Sequence, residues 1–287
     1  MKMTRSEKTF QVFLVLFLSL LCVSMLYPFL HQLTISLSDG AARLGISLIP
    51  QGFTFNAYVM LFQTSEIWTA FGNSVFRTVI GTLAMMLVMS SAAYALSKKG
   101  LPHRQFFTTL IIVTMFFSGG LLPSYMLIKS LGLFDTHLVF ILPGLVNTFW
   151  LIIMRNFFMQ LSEEIEESAK MDGANDIRIF WQIVIPVSMP IIATMILFCT
   201  VHHWNAWFDA LMYTRDQALL VLQMYLRRLI INQDESMINA VLVTTNAPPS
   251  ESLKAAALIF TTAPILVVYP FLQKHFAQGI LVGSVKG

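Results

Sequence analysis

Six stretches of this chain, residues 10–33, 68–96, 106–128, 137–158, 187–213 and 255–272, are each long and apolar enough to cross a hydrocarbon core, which takes about 20 residues of helix. Lipid offers the backbone no hydrogen-bond partners, so runs of this length predict helices that satisfy their own N–H and C=O groups. The expected fold is an all-α integral membrane protein with six transmembrane helices. Composition agrees: 56% of the 287 residues are hydrophobic, 11% are charged and the mean hydropathy is +0.71, far from the roughly one-quarter charged make-up of soluble domains. No Ser/Gly-rich or low-complexity linker interrupts the series. One transmembrane domain over 1–287 is expected, with a first helix and external segment at 1–67 and a core bundle at 68–287.

Charge sets the expected orientation. The run at 10–33 follows Lys2, Arg5 and Lys8, but it exceeds the 7–15 residues of a signal-peptide core and no small-residue cleavage site follows, so it reads as an uncleaved first helix. Six crossings put both termini on one side. Eleven Lys/Arg fall there (the basic tail, Lys98, Lys99, Arg104, Arg155, Lys170, Arg178, Lys274 and Lys286), against five on the other side (Arg43, Lys129, Arg215, Arg227 and Arg228). Cytoplasmic loops carry the basic excess, so both termini are expected in the cytoplasm. A net charge of +3 is too small and too dispersed to suggest nucleic acid as a partner. Cys22 and Cys199 both lie in apolar runs, which predicts neither a disulfide framework nor a metal site.

Within the second run, Gly81, Ala84, Ser91, Ala92, Ala93 and Ala95 form a small-residue stripe that lets helices approach closely. Pro123, Pro143, Pro190, Pro264 and Pro270, with Gly119, Gly120 and Gly144, are expected to interrupt other runs where neighbours or water re-satisfy the freed backbone. The segment 219–231 is apolar but too short to span, and should form an external helix packed on the bundle.

Between the fourth and fifth runs lies a polar insert. Glu163, Glu164, Glu166, Glu167, Asp172 and Asp176 are six of the fifteen acidic residues, crowded on what charge predicts is the cytoplasmic side. Ser162 is placed to cap a short helix that holds Glu163 and Glu164 in its first turn, favourable at the positive end of the helix dipole. Asp172-Gly173 should stop it. Asn175 can cap a second helix in which Ile177, Phe180, Trp181 and Val184 recur at i, i+3, i+4 and i+7 until Pro186. The prediction is a helix–turn–helix elbow. Lipid-surface helices favour Lys/Arg on their polar face, whereas this one is acidic and better suits a basic groove on a soluble partner.

The spacing E-x-A-x3-G-x9-I-x-x-P is met by Glu167, Ala169, Gly173, Ile183 and Pro186. It resembles the EAA cytoplasmic loop, here 159–186, of permease subunits in binding-protein-dependent ABC importers. Ser168 stands where that pattern usually has Ala, and Ile185 where it usually has Leu. NSVFRT at 73–78, LPSYMLIKSLGLFDTHLVFILPG at 122–144, Trp204-Asn205 and YPFLQKHFAQGILVGSVKG at 269–287 are similar to carbohydrate importers of the maltose-permease class, particularly the branch handling oligosaccharides from plant or algal polysaccharides. The resemblance implies a subunit of a prokaryotic cell membrane that translocates a sugar delivered by an external sugar-binding protein, beside a second homologous permease and two ATPase copies. It also implies that Glu167, Ser168, Ala169, Asp172, Gly173, Ala174, Ile183 and Pro186 couple to the ATPase. Glu167 would meet a basic residue there, Gly173 would make the tight turn, and the tail at 273–287 would reach towards the same subunit.

No G-x-x-x-x-G-K-[ST] phosphate loop occurs in the sequence, so ATP and Mg are expected on the partner ATPase. The chain itself is expected to be no enzyme and to bind no cofactor. FSGGL at 117–121 lies inside an apolar run and reads as a helix break rather than an ATPase signature. A membrane hydrolase would need a motif such as G-x-S-x-G or H-E-x-x-H, and neither is present. His202 and His203 point about 100° apart on a helix and cannot share a metal as i, i+4 ligands do. The alternative, an ion-coupled secondary transporter, would bury ionisable residues at mid-membrane, where the acidic candidates reduce to Asp209 near a helix end. Trp204, Asn205 and Trp207, towards the outer half of the fifth run, offer aromatic faces and an amide to a sugar, and are the candidate substrate path.

Overall fold

The computed structural model describes residues 5–39, 49–50, 52–231 and 250–284. Its helices are α1 (Arg5–Ser36), α2 (Asn56–Gln63), α3 (Ser65–Ser97), α4 (Arg104–Phe116), α5 (Leu121–Ser130), α6 (Thr148–Phe158), α7 (Glu163–Met171), α8 (Asp176–Val187), α9 (Met189–Asn205), α10 (Phe208–Tyr213), α11 (Leu222–Ile231) and α12 (Ser250–Ser284). Short 3₁₀ turns lie at His137–Phe140, Leu142–Gly144 and Gln217–Leu219. The all-α membrane fold expected from the apolar runs is the one observed.

Three of the six runs are single apolar helices, with windows at Ser6–Ser36, Ser65–Ser97 and Glu251–Val268; the runs at 106–128 and 137–158 are bent pairs, and the long helix of the run at 187–213 is set at 85° to the helix Asp176–Val187 before it. The run at 106–128 is α4 and α5, turned through 114° at residues 117–120, where Gly120 has φ +86°. FSGGL is therefore a helix break. The run at 137–158 opens as two 3₁₀ turns containing Pro143, then bends 52° into α6, whose start is fixed by Asn147 Oδ1 accepting the Trp150 N–H at 3.1 Å. The run at 187–213 ends its long helix at Asn205 and resumes as α10. Not every proline interrupts. Pro264 and Pro270 lie inside α12, while Pro190 sits in the first turn of α9, where the missing N–H would have no helical partner.

The chain divides into two compact units, residues 1–67 with 226–263, and residues 68–225 with 264–287. In the first, the apolar window of α1 has no buried residue, which leaves a surface for lipid or a partner helix. Ser36 Oγ and Tyr58 Oη lie 2.8 Å apart, Ser38 bridges Phe53, and Phe62 packs edge-on against Phe260. The core of the second unit joins Met85, Met86 and Met89 of α3 to Met154 and Phe158 of α6, Ile179, Phe180 and Val184 of α8, and Ile192 and Met195 of α9. The small-residue stripe on α3 is two-sided: Gly81 and Ala93 are buried, whereas Ser91 and Ala95 are exposed. At Gly81 the approach is close, for an added Cβ would lie 2.6 Å from Cε1 of His203. The segment 219–231 forms α11 from Leu222 onward, preceded by Leu219, Leu220 and Val221, which are buried with Leu222. Of the expected tail, α12 carries the backbone to Ser284, and the side chains of 271–287 lie outside the described residues.

Candidate functional site

The acidic insert folds as the elbow its sequence predicts. Helix α7 ends at a turn in which Gly173, at φ +80°, adopts the left-handed conformation that L side chains resist. Gly173 N–H donates to the Lys170 C=O at 3.0 Å, and Ala174 N–H reaches back to the Ala169 C=O at 3.0 Å. These are the two bonds of a Schellman cap, whose flanking residues usually make an apolar contact. Here those residues are Ala169 and Ala174, both half-buried against the core. Asn175 then caps α8, its Oδ1 accepting the Arg178 N–H at 2.8 Å. Ser162 occupies the N-cap position of α7 but makes no side-chain cap bond, so the start of α7 is not fixed as expected.

The buried face of α8 also differs from the expected one. Ile177 and Trp181 are 71% and 51% exposed, while Ile179, Phe180 and Val184 are buried. A π-helical turn over Phe180–Val184 is the reason: its extra residue shifts the apolar face away from the i, i+3, i+4, i+7 register. Ile183 is half-buried against the core, and Pro186 is exposed just before the 85° bend at residue 188 into α9.

Ion pairs tie the elbow to the end of α3. Lys98 pairs with Glu166 and Lys99 with Glu163 at 2.8 Å, whereas the Lys170–Asp176 pair at 2.9 Å joins α7 to α8 within the elbow; the Lys98 ammonium also lies 4.0 Å over the Tyr94 ring. Its hydrogen bond to Asp176 raises the pKa of Lys170. Among the described residues, Glu164, Glu167 and Asp172 make no ion pair. Glu167 and Ser168 are exposed, and the Ser168 hydroxyl donates back to the Ile165 C=O. Between the elbow and α3 lies a cleft of about 800 Å³, lined by Tyr94, Lys98, Phe158, Glu166, Glu167 and Trp181 among others.

A second polar cluster was not foreseen. Arg77, 1% exposed on α3, grips Asp209 with both Nη atoms, at 3.1 and 2.5 Å, and donates through Nη1 to the Ala206 C=O at 3.1 Å; its guanidinium lies 4.8 Å over the Phe140 ring. One turn earlier, Asn73 Nδ2 donates to the carbonyls of Ala218 and Leu220, and Ser74 Oγ accepts the Leu222 N–H at the start of α11. The signal was present in NSVFRT, which puts four hydrogen-bonding side chains, Asn73, Ser74, Arg77 and Thr78, into six residues of an apolar helix. The hydrogen-bond partners just named are 129–148 residues away in sequence, beyond reach of local reasoning. Of the substrate-path candidates, Trp204 is buried edge-on against Phe71. Asn205 is exposed and accepts from Gln223 Nε2 at 3.4 Å, and Trp207 is half-buried beside Phe208.

Long apolar helices joined by a capped, acidic elbow define a multi-pass membrane protein. The chain belongs to the family described as binding-protein-dependent transport system inner membrane component, whose profile matches residues 105–282. Protein LplC of Bacillus subtilis (strain 168) is 43% identical over 286 residues, covering 99% of this chain and 97% of that one. The polygalacturonan/rhamnogalacturonan transport system permease protein YtcP of the same organism is 42% identical over 278 residues, covering 96% of each. Among solved structures, a chain from the crystal structure of a bacterial ABC transporter involved in the import of the acidic polysaccharide alginate superposes with a TM-score of 0.90 at 33% identity, covering 96% of this chain and 99% of that chain.

Proposed function

We propose that this chain is the membrane-spanning permease of an ATP-driven importer that takes an oligosaccharide from an external solute-binding protein. A second permease of similar fold completes the pathway, and two ATPase copies bind the ATP and Mg on the cytoplasmic side, where both termini of this chain lie. The observation that carries the reading is the elbow: Ala169 and Ala174 seat its Schellman turn on the core while Glu167 is exposed and, among the described residues, makes no ion pair. An anchored turn with a free carboxylate is fit to carry force to or from a basic groove. The pairs between α7 and Lys98 and Lys99 join that turn to the long helix α3. Asn205 and Trp207 offer an amide and part of an indole face to the pathway, with Trp204 packed behind them. Oligosaccharide as the cargo class follows from the polygalacturonan/rhamnogalacturonan and alginate systems to which the chain is similar.

The test is uptake of labelled galacturonate oligosaccharide into vesicles holding the purified complex. The expected result is uptake that needs both ATP and the binding protein. Uptake that runs on a proton or Na⁺ gradient without ATP would instead support the ion-coupled alternative.

A further inference from the structure

Apart from Asn205 itself, a residue tolerated at helix ends, no strong local breaker stops α9 there. The following residues, Ala206, Trp207 and Phe208, include neither Gly nor Pro, and Ala is the strongest helix former of all. An uninterrupted span through Tyr213 is what hydropathy predicts. Instead, Ala206 is extended, at φ −72° and ψ 129°, and α10 starts afresh at Phe208. Carrying the helix through this point requires the Ala210 N–H to donate to the Ala206 C=O. Both of those groups are engaged elsewhere. The Ala206 C=O accepts from Arg77 Nη1, and the Ala210 N–H donates to Asp209 Oδ1 at 2.9 Å, the same carboxylate oxygen that Arg77 Nη1 holds.

We propose that Arg77 is the positioning residue of the substrate-facing turn: acting from α3, it imposes the break at Ala206 and so sets where Asn205 and Trp207 stand. The planar guanidinium suits this task, because its fork serves a carboxylate and a carbonyl at once, and Phe140 covers its face. An ionisable pair inside an apolar bundle is costly and marks a functional site; here its work is conformational. With Arg77 removed the Ala206 carbonyl loses its competing donor, and with the Asp209 carboxylate removed as well the Ala210 N–H is free to take it; α9 and α10 then fuse, and the direction of Trp207 relative to α9 changes.

This proposal rests on the transport reading for its purpose, but its test does not. Ala206-Trp207 is the one Ala-Trp step in the sequence, so labelling with ¹³C-alanine and ¹⁵N-tryptophan isolates that peptide bond in spectra of the purified complex in lipid, with neither sugar nor ATP added. The wild type should give an Ala206 ¹³C shift in the extended range. Arg77→Met/Asp209→Ala, which removes both charges, leaves no orphan carboxylate and frees the Ala210 N–H from the side chain of residue 209, should move it into the helical range. An extended shift retained in the assembled double variant overturns the proposal. If that variant does not assemble, Arg77→Lys, which keeps the charge and loses the fork, should show a helical signal beside the extended one; a single unchanged signal overturns the proposal equally. Absence of sugar uptake by the wild type would count against the transport reading alone, and an unmoved Ala206 shift against this inference alone.

Discussion

Gly173 and Gly81 are glycines for different reasons, and they predict different failures. A Cβ added at Gly173 would meet nothing within 4 Å, but the residue sits at φ +80°, so the cost is backbone strain, about 1–2 kcal/mol for an L side chain. Asn tolerates that conformation far better than a β-branched residue. Gly173→Asn should therefore keep the elbow and its partner, while Gly173→Val should reach the membrane at normal level and lose the partner; pull-down of the ATPase from solubilised membranes checks both. At Gly81 the backbone is unstrained and the obstacle is the His203 ring. Gly81→Ala should lower stability by about 1–3 kcal/mol, the usual cost of overpacking, measured as a lower thermal midpoint of the complex in detergent. The first role was readable in the sequence, because Asp-Gly after an acidic helix signals a turn. The second was readable only as membership of a small-residue stripe, since His203 meets Gly81 through the fold.

Helices α7 and α8 show where local reasoning succeeds and where it stops. Turn, caps and acidic first turn are near-neighbour effects, and Asp172-Gly173 and Asn175 fall where they were expected. The register of α8 is not local: the core takes Ile179, Phe180 and Val184, and the π-turn that delivers them has no residue signature. The same holds for the break at Ala206, made by an arginine 129 positions away. The clamp on the elbow is testable by charge exchange. Lys98 and Glu166 are partly buried, with side chains 29% and 16% exposed, so either single reversal should destabilise by more than the ~1 kcal/mol upper value of an exposed pair. Lys98→Glu and Glu166→Lys should each speed proteolysis within 159–175, and the double exchange should restore much of the protection. Equal cleavage in all four proteins would show that the pair does not hold the elbow.

For the whole molecule, hydropathy located all six membrane runs, because a long apolar stretch has few alternatives in lipid. It could not show that two of them bend within their length, by 114° and 52°, or that a third is turned 85° from the helix before it, since bends depend on partners for the released backbone groups. An importer has use for such bends, for they place irregular backbone beside a path and let segments move separately. What the account requires above all is that force enters through the elbow from a separate ATPase. The most direct measurement compares wild type with Glu167→Arg for membrane level, ATPase retained on purification and ATP-driven uptake. Truncating one partner of a buried interfacial pair costs about 2–5 kcal/mol, and reversal adds repulsion. The variant should therefore insert normally, lose the ATPase by at least tenfold in affinity and fail in uptake. Wild-type retention and uptake in Glu167→Arg would contradict the account, leaving the elbow a surface connector with no part in coupling.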